Sequence, residues 1–253
     1  MKQLNEKVAI VTGAGQGIGK GIALLLAKRG VKVVCTGRRL EPIEQTVAEI
    51  KAEGGEGFAM TCDSGNRARV DEVVATAVER YGSIDVVVNN GQAIVPSSSV
   101  EDTTYENMLA AWQSGTIGSL NYMQAVFPYM KAQNEGRIIN FASATGMFGI
   151  AGQLAYASNK EAVRGLTKVA AKEWGQYGIC VNVVLPGAES PAAKAWAQKF
   201  PEEYQKQVML NPMHRFGNPE SDIAPVIAFL AGPDSCYYSG QSVIIDGANS
   251  IAP

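Results

Sequence analysis

The chain alternates short apolar runs with longer stretches in which apolar residues recur every three or four positions. The short runs are rich in Val and Ile, as is typical of buried strands. Seven strands are predicted, at Val8–Val11, Val31–Thr36, Gly57–Thr61, Asp85–Asn89, Arg137–Phe141, Val181–Leu185 and Ser242–Asp246. Helices are predicted between most of them, at Ile18–Arg29, Ile43–Glu53, Val70–Tyr81, Tyr105–Lys131, Ala155–Tyr177 and Asp222–Leu230.

This alternation predicts a parallel sheet. Strands that are apolar along their whole length must be covered on both faces. Parallel neighbours need crossover connections, which usually contain a helix and should be right-handed. We therefore expect an α/β protein with a three-layer, doubly wound Rossmann fold, in which a seven-stranded parallel sheet carries helices on both faces. Residues 1–253 are expected to form a single domain, with segment 187–219 as a mobile cover over a ligand crevice.

Composition limits the partners and the location. The net charge of −2 gives no reason to expect nucleic acid or an anionic membrane as a partner. The four cysteines are spaced singly, which favours reduced thiols over disulfides or a metal site, so no metal is expected. The N-terminal residues lack the apolar core of a signal peptide, and no apolar run is long enough to span a bilayer. We expect a soluble, cytoplasmic protein.

A glycine-rich segment, Thr12–Gly19, follows the first predicted strand and opens the first helix. Glycines let a backbone turn sharply and approach a pyrophosphate, and a helix N-terminus supplies free N–H groups. The spacing differs from Gly-x-Gly-x-x-Gly, but the strand–turn–helix context is the one that a dinucleotide loop requires. The residues predicted to bind the cofactor here are Gly13, Gln16, Gly17, Ile18 and Gly19.

The end of the second strand bears on which dinucleotide binds. An acid at this position would bind the ribose 2′-hydroxyl of NAD, but the chain has Arg38 and Arg39 instead. A guanidinium can bind a 2′-phosphate, so NADP is expected in preference to NAD, although two solvated arginines in a turn remain the alternative. Asp63, followed by Ser64, is placed to accept a hydrogen bond from the adenine, or else to act as a turn or N-cap residue.

Tyr156 and Lys160 lie four residues apart in a predicted helix, and Ser143 lies thirteen residues before the tyrosine. Residues four apart share one face of a helix. An ammonium beside a phenol favours the phenolate, so Lys160 is expected to lower the pKa of Tyr156 towards the range of an acid/base catalyst. Such pairs also occur by chance on surface helices.

With these motifs the chain resembles the short-chain dehydrogenase/reductase family over nearly its whole length. The shared motifs, in order, are the loop at 12–19, the family's Asn-Asn-Ala-Gly, met in part by Asn89-Asn90-Gly91-Gln92, then Ser143, the Tyr-x-x-x-Lys at 156–160, Pro186-Gly187 and Asp246-Gly247. The resemblance implies NADP- or NAD-dependent interconversion of a ketone and an alcohol. It also implies a homo-oligomer, usually a tetramer, and cofactor contacts at Asn90, Gly91, Tyr156, Lys160, Pro186 and Gly187.

The family resemblance further implies that Tyr156 donates a proton to the carbonyl oxygen and that Ser143 hydrogen-bonds this oxygen. Lys160 would hold the nicotinamide ribose. The chain departs from the family at Gly115, where an asparagine usually supports the proton relay; either a water molecule fills the space or the helix kinks there. We expect activity to survive. Ser190 is predicted to replace a cofactor-binding threonine.

Gln92 replaces a usual glycine and is predicted either to reach the substrate or to brace its loop. The other predicted substrate residues are Met147, Phe148, Gln153 and Trp196. In several short motifs the chain is similar to bacterial 12α-hydroxysteroid dehydrogenases, which suggests a bulky alicyclic or aromatic ketone or alcohol as substrate. A 3-oxoacyl-carrier-protein reductase and a non-catalytic NADP-binding sensor are the alternatives.

Overall fold

The computed structural model describes residues 1–189 and 191–251. One seven-stranded sheet, with every neighbouring pair parallel, runs in the order β3-β2-β1-β4-β5-β6-β7. The strands are β1 Val8–Thr12, β2 Lys32–Gly37, β3 Gly57–Thr61, β4 Val86–Asn89, β5 Gly136–Phe141, β6 Ile179–Pro186 and β7 Ser242–Ile245. The predicted seven-stranded parallel sheet is therefore confirmed.

Helices cover both faces of this sheet. They are α1 Gly17–Lys28, α2 Leu40–Ala52, α3 Arg67–Tyr81, α4 Tyr105–Trp112, α5 Gly118–Gln133, α6 Ala144–Phe148, α7 Leu154–Trp174, α8 Pro191–Lys199, α9 Pro201–Leu210 and α10 Ala224–Ala231. Consecutive strand residues point to opposite faces. Accordingly, Val33 packs in a core with α1, α2 and α10, whereas Val34 packs in a core with α3, α5 and α7. This three-layer arrangement is the predicted Rossmann fold.

Four segments differ from the predicted pattern. Helix α6 was not predicted, and the predicted helix Asp222–Leu230 begins within a π-turn at Pro219–Ile223. The expected helix 105–131 is interrupted by a π-turn at Gln113–Ile117, between α4 and α5. The cover segment contains two short helices, α8 and α9, and its Ala188 forms an isolated bridge to Gly217. These two helices were not predicted, because they are short, begin at proline residues and have weak apolar periodicity. Of the helices described, none combines the length and apolar character needed to cross a membrane.

Candidate active site

A cavity of about 850 Å³ lies at the carboxyl ends of the strands. The strand order reverses between β1 and β4, and in open α/β sheets ligands bind at such a switch point. Of the residues predicted to bind the cofactor, the cavity wall contains Gly13, Gln16, Gly17, Ile18, Arg38, Arg39, Asp63, Ser64, Asn90, Gly91, Tyr156, Lys160 and Pro186. The fold thus brings together positions that are spread over most of the chain.

The glycine-rich loop is shaped for close approach of a ligand. Gly13 has φ +66° and Gly17 has φ +54°, in the region that favours glycine. A Cβ at Gly19 would lie 2.3 Å from the Gly13 carbonyl oxygen, so Gly19 permits close packing behind the loop rather than lining the cavity. Helix α1 begins at Gly17 without a side-chain cap, and its N-terminal N–H groups therefore suit a pyrophosphate.

Asn90 fixes the neighbouring loop to this turn. Its Nδ2 donates to the Thr12 carbonyl at 2.9 Å, and the Gly91 N–H donates to the Thr12 hydroxyl at 2.8 Å. The loop that follows β4 is thereby held beside the glycine-rich turn. Through these contacts Asn90 stabilises the cavity wall. Together, the glycine-rich loop, the N-terminus of α1 and the loop after β4 fit a nicotinamide dinucleotide.

Two arginines lie in the part of the cavity wall that follows β2. Arg38 and Arg39 line it just beyond β2, and Arg39 Nη2 donates to Gln16 Oε1 at 3.4 Å. Asp63 also lines the cavity, while its Oδ1 accepts the Gly65 N–H at 2.9 Å in a turn. The N-cap of α3 is Asn66 instead. Asp63 therefore combines the predicted cavity position with a turn contact.

Only one of the two residues in the Pro-Gly turn after β6 is found in the described cavity wall. Pro186 lines the cavity, but Gly187 is absent from the described wall. The Gly187 N–H donates to the Ile245 carbonyl at 2.8 Å, and a Cβ at Gly187 would lie 2.6 Å from Asp246 Cβ. Gly187 therefore serves close packing against the end of β7. The predicted contact at Ser190 lies outside the described residues.

Tyr156 and Lys160 project from α7 towards the end of β5. Lys160 is buried, its Nζ donates to the Phe141 carbonyl at 2.8 Å, and this nitrogen lies 5.6 Å from the centre of the Tyr156 ring. Ser143 is the N-cap of α6, where its Oγ accepts the Thr145 N–H at 3.2 Å. The side chain of Ser143 is also hydrogen-bonded to that of Tyr156, which places the two hydroxyl groups together.

Burial changes the expected electrostatics of this group. Desolvation raises the pKa of Tyr156 and outweighs the opposing effect of Ser143. Burial also lowers the pKa of Lys160 to about 7, because an ammonium loses its hydration there. The expectation that Lys160 lowers the pKa of Tyr156 was therefore wrong for the chain alone: spacing on a helix predicts proximity, but it does not predict the cost of burying the charge.

The position of the missing asparagine lies in the π-turn, where Gly115 is buried. Of the two sequence-based alternatives, the local distortion of the helix is thus present. Asn121, further along the same helix, is used elsewhere: its Nδ2 donates to the Ser64 carbonyl at 2.8 Å. It braces the loop after β3 and does not replace a side chain at Gly115.

Two of the five predicted substrate residues are found in the described cavity wall, and three are not. Gln92 and Gln153 line the cavity. The Gln92 amide is shielded from solvent and has no hydrogen-bond partner among the described residues, which removes support for a bracing role. Gln153 Nε2 donates to Ser97 Oγ at 2.7 Å.

Three other predicted substrate residues are absent from the described cavity wall. Met147 packs against the core at Val163 and Val183, because α6 turns this side chain inward. Phe148 is mostly exposed, and Trp196 makes an edge-on contact with Tyr204, 5.9 Å between ring centres. In this structure these three side chains therefore do not form the wall near Tyr156.

Several further residues of the cavity wall were not predicted from the sequence: Ala93, Ile94, Val95, Ser97, Ser114, Phe141 and Ala142. The run 93–95 directly follows the Asn-Asn motif, and Ile94 is 86% exposed. An apolar run in a loop beyond a strand's carboxyl end was the available signal. Ser114 fixes this loop, since its Oγ accepts the Ala93 N–H at 3.1 Å.

Proteins of known sequence resemble the whole chain. A family model described as enoyl-(acyl carrier protein) reductase matches residues 13–248. A 12α-hydroxysteroid dehydrogenase from Clostridium sp. is 37% identical, with 98% of each chain covered. A 3-oxoacyl-acyl-carrier-protein reductase from Thermotoga maritima is also 37% identical, with 97% of this chain and 98% of that protein covered. A cyclohexanol dehydrogenase from Acinetobacter sp. is 34% identical, with 97% and 96% covered.

Solved structures agree with these relatives. Levodione reductase superposes with a TM-score of 0.92 at 30% identity, covering 98% of this chain and 99% of that one. A variant of actinorhodin polyketide ketoreductase with NADPH superposes with a TM-score of 0.90 at 30% identity and the same coverage. The chain therefore belongs to the short-chain dehydrogenase/reductase family of oxidoreductases, which bind a nicotinamide cofactor and act on alcohols and ketones.

Proposed function

We propose that this protein is an NADP-dependent oxidoreductase that interconverts a bulky alicyclic ketone and its secondary alcohol, with Tyr156 as the general acid/base. The observation that carries this proposal is one continuous cavity. It extends from Arg38, past the glycine-rich loop, to Tyr156 and Lys160. A dinucleotide has a phosphate-bearing end and a reactive end, and the cavity offers groups suited to each.

The chemistry would divide among three side chains. Bound NADPH supplies a hydride to the carbonyl carbon. Tyr156 is partly buried, and desolvation raises its pKa, so its phenol is protonated and donates its proton to the developing alkoxide oxygen. The Ser143 hydroxyl hydrogen-bonds the same oxygen and stabilises its charge. Lys160 is held by the Phe141 carbonyl, so that its Nζ stays at the buried side of the tyrosine.

The substrate class rests on the wall of the cavity and on the relatives. Ala93, Ile94 and Val95 give an apolar part of the wall of the cavity that also contains Tyr156, and such a wall favours hydrocarbon rings. The names of two relatives, a 12α-hydroxysteroid dehydrogenase and a cyclohexanol dehydrogenase, refer to alicyclic alcohols. The free Gln92 amide then provides a polar contact on an otherwise apolar substrate.

A 3-oxoacyl-carrier-protein reductase is the second candidate, because a relative of that name is 37% identical. An acidic carrier protein would require unpaired basic groups around the cavity mouth. In the cover segment, Lys194 pairs with Glu189 at 3.2 Å, and Arg215 pairs with Asp222 at 2.5 Å. Two of the four basic residues of the cover segment, which also contains Lys199 and Lys206, are thus neutralised within the chain. This pairing reduces the positive charge available to an acidic carrier and favours the alicyclic substrate.

Nicotinamide absorbance during turnover separates these candidates. The protein would be assayed with NADPH against alicyclic ketones, a 3-oxoacyl thioester, and the same acyl group on its carrier protein. We expect the largest kcat/KM with an alicyclic ketone. The kcat/KM for the 3-oxoacyl group should be no higher on its carrier protein than on the small thioester. A large gain from the carrier would favour the second candidate, and tight NADPH binding without turnover of any substrate would favour a sensor.

Arg38→Ala tests the cofactor preference. Loss of a charge-assisted hydrogen bond to a phosphate costs about 1.5–3 kcal/mol, so the KM for NADPH should rise about 10- to 100-fold. The KM for NADH should change little. Arg39→Ala is the matched control, since Arg39 already donates to Gln16 and should have the smaller effect. Equal changes in KM for both cofactors would contradict a 2′-phosphate contact at Arg38.

Gln92→Leu tests the assignment of the amide to the substrate. Because the amide lacks a protein partner among the described residues, its removal should leave Tm unchanged or raise it. The same change should raise the KM for the ketone about 2- to 10-fold, as expected for one lost hydrogen bond. Steady-state kinetics and thermal unfolding measure the two effects. A lower Tm with an unchanged KM would instead assign Gln92 to bracing its loop.

A further inference from the structure

Asn159 is a buried polar residue on α7, immediately before Lys160, with no measurable exposure. Its Oδ1 accepts two hydrogen bonds from Thr116 in the π-turn, one from the backbone N–H at 2.8 Å and one from the hydroxyl at 2.7 Å. The amide therefore ties α7 to the π-turn. A π-turn within a helix displaces backbone groups from their usual partners and is frequent at functional sites.

The Asn159 amide also occupies the space that a side chain at position 115 would need. A Cβ built on Gly115 would lie 2.4 Å from both the Oδ1 and the Nδ2 of Asn159. Real Cβ atoms do not approach other atoms so closely, so the two positions exclude each other: either residue 115 has a side chain or Asn159 has this orientation. Where residue 115 lacks a side chain, an amide from the neighbouring helix fills the volume.

The other half of this amide is unused by the protein. Asn159 Nδ2 is buried and has no acceptor among the described residues. Leaving a buried donor without a partner costs about 1–3 kcal/mol, and buried water commonly satisfies such groups. The next residue, Lys160, is buried as well, and the Phe141 carbonyl accepts only one of its three N–H bonds. Two consecutive polar residues of the helix that carries Tyr156 therefore have hydrogen-bond donors without a partner among the described residues.

We propose that Asn159 is a positioning residue of the reduction site, which holds the π-turn through its Oδ1 and binds a buried water molecule through its Nδ2, on the proton path to Lys160 and Tyr156. This proposal rests on the proposed ketone reduction. During that reaction Tyr156 loses a proton to the alkoxide, and the water provides the route by which a proton from solvent replaces it. No group other than solvent is consumed.

Asn159→Ala removes the Nδ2 donor and tests this role, because it should affect kcat and leave the KM for NADPH nearly unchanged. We expect kcat to fall about 10-fold, with the KM for NADPH within about 2-fold of the wild-type value. The solvent deuterium isotope effect on kcat should increase, because proton delivery becomes slower. Asn182→Ala is the matched control: Asn182 is also buried and donates to the Tyr238 carbonyl, but on β6, away from Tyr156. It should lower Tm without changing the isotope effect.

The exclusion between positions 115 and 159 gives a second test that is independent of activity. Gly115→Asn should lower Tm strongly, because its Cβ collides with the Asn159 amide. The double variant Gly115→Asn/Asn159→Ala should have a higher Tm than Gly115→Asn, and a higher kcat than either single variant.

Failure of this rescue in both Tm and kcat would overturn the proposal. An unchanged kcat and isotope effect in Asn159→Ala, with a lowered Tm, would overturn the proton path and leave Asn159 a purely structural residue. If the wild-type protein reduces no ketone, the proposed function fails, and with it the proton path, whereas the Tm comparison still decides whether Asn159 occupies the space at Gly115.

Discussion

Tyr156→Phe should lower kcat for ketone reduction by about 10²- to 10⁴-fold, the usual contribution of a positioned general acid. The change removes one oxygen atom and keeps the ring, which projects from α7, is partly buried and has its centre 5.6 Å from Lys160 Nζ. Without the phenol, no side chain at this position can protonate the alkoxide as it forms. Steady-state rates from nicotinamide absorbance, together with NADPH binding by fluorescence, measure the effect.

NADPH binding should be retained in this variant, because the glycine-rich loop and Arg38 are untouched. Tyr204→Phe is a suitable control. The Tyr204 hydroxyl donates to Glu189 Oε1 at 3.0 Å in the cover segment, so this variant loses a tyrosine hydroxyl away from the proposed chemistry. Turnover by Tyr156→Phe at the wild-type rate would contradict the assignment of the acid.

Lys160→Met should abolish most activity and also change how stability depends on pH. The folded-state pKa of Lys160 is about 7, against an ordinary value of 10.5. Between these values the unfolded chain binds more protons than the folded one, so the stability of the wild-type protein rises with pH. Relative to Lys160→Met, wild-type stability should increase by roughly 2–3 kcal/mol between about pH 6 and pH 9.

Chemical denaturation of both proteins at each pH measures this difference, in which titrations common to both proteins largely cancel. Lys168→Met is the control, since Lys168 lies on the same helix but is exposed. Its difference from wild type should remain flat over this pH range. A flat difference for Lys160→Met as well would show that the Lys160 ammonium is not destabilised by burial.

The fold could be predicted from the sequence because its strands carry a strong signal. The predicted strand Val31–Thr36, for example, contains the consecutive apolar residues Val33, Val34 and Cys35, and Val33 and Val34 do pack in opposite cores. Such a strand has few alternatives to the centre of a parallel sheet. The glycine-rich turn could also be predicted, because the positive φ at Gly13 and the close packing at Gly19 both favour glycine at these positions.

What the sequence could not predict depends on contacts between distant segments. The effect of burial on Lys160 arises from the packing of α7 against β5, which no local pattern records. The pairing of Asn159 with Gly115 joins positions 44 residues apart, and it is visible only once α7 lies beside the π-turn. Met147 was predicted beside the substrate from its position in the loop, but the turn of α6 directs it into the core.

Hydride transfer itself is tested most directly by isotope labelling. The protein would be incubated with NADPH carrying deuterium at the transferable position and with an alicyclic ketone, and the alcohol product analysed by mass spectrometry and NMR. The account predicts one deuterium on the carbinol carbon, with a solvent-derived proton on the oxygen, and a loss of most product with Tyr156→Phe. Tight binding of NADPH without deuterium transfer to any ketone or acyl substrate would contradict it.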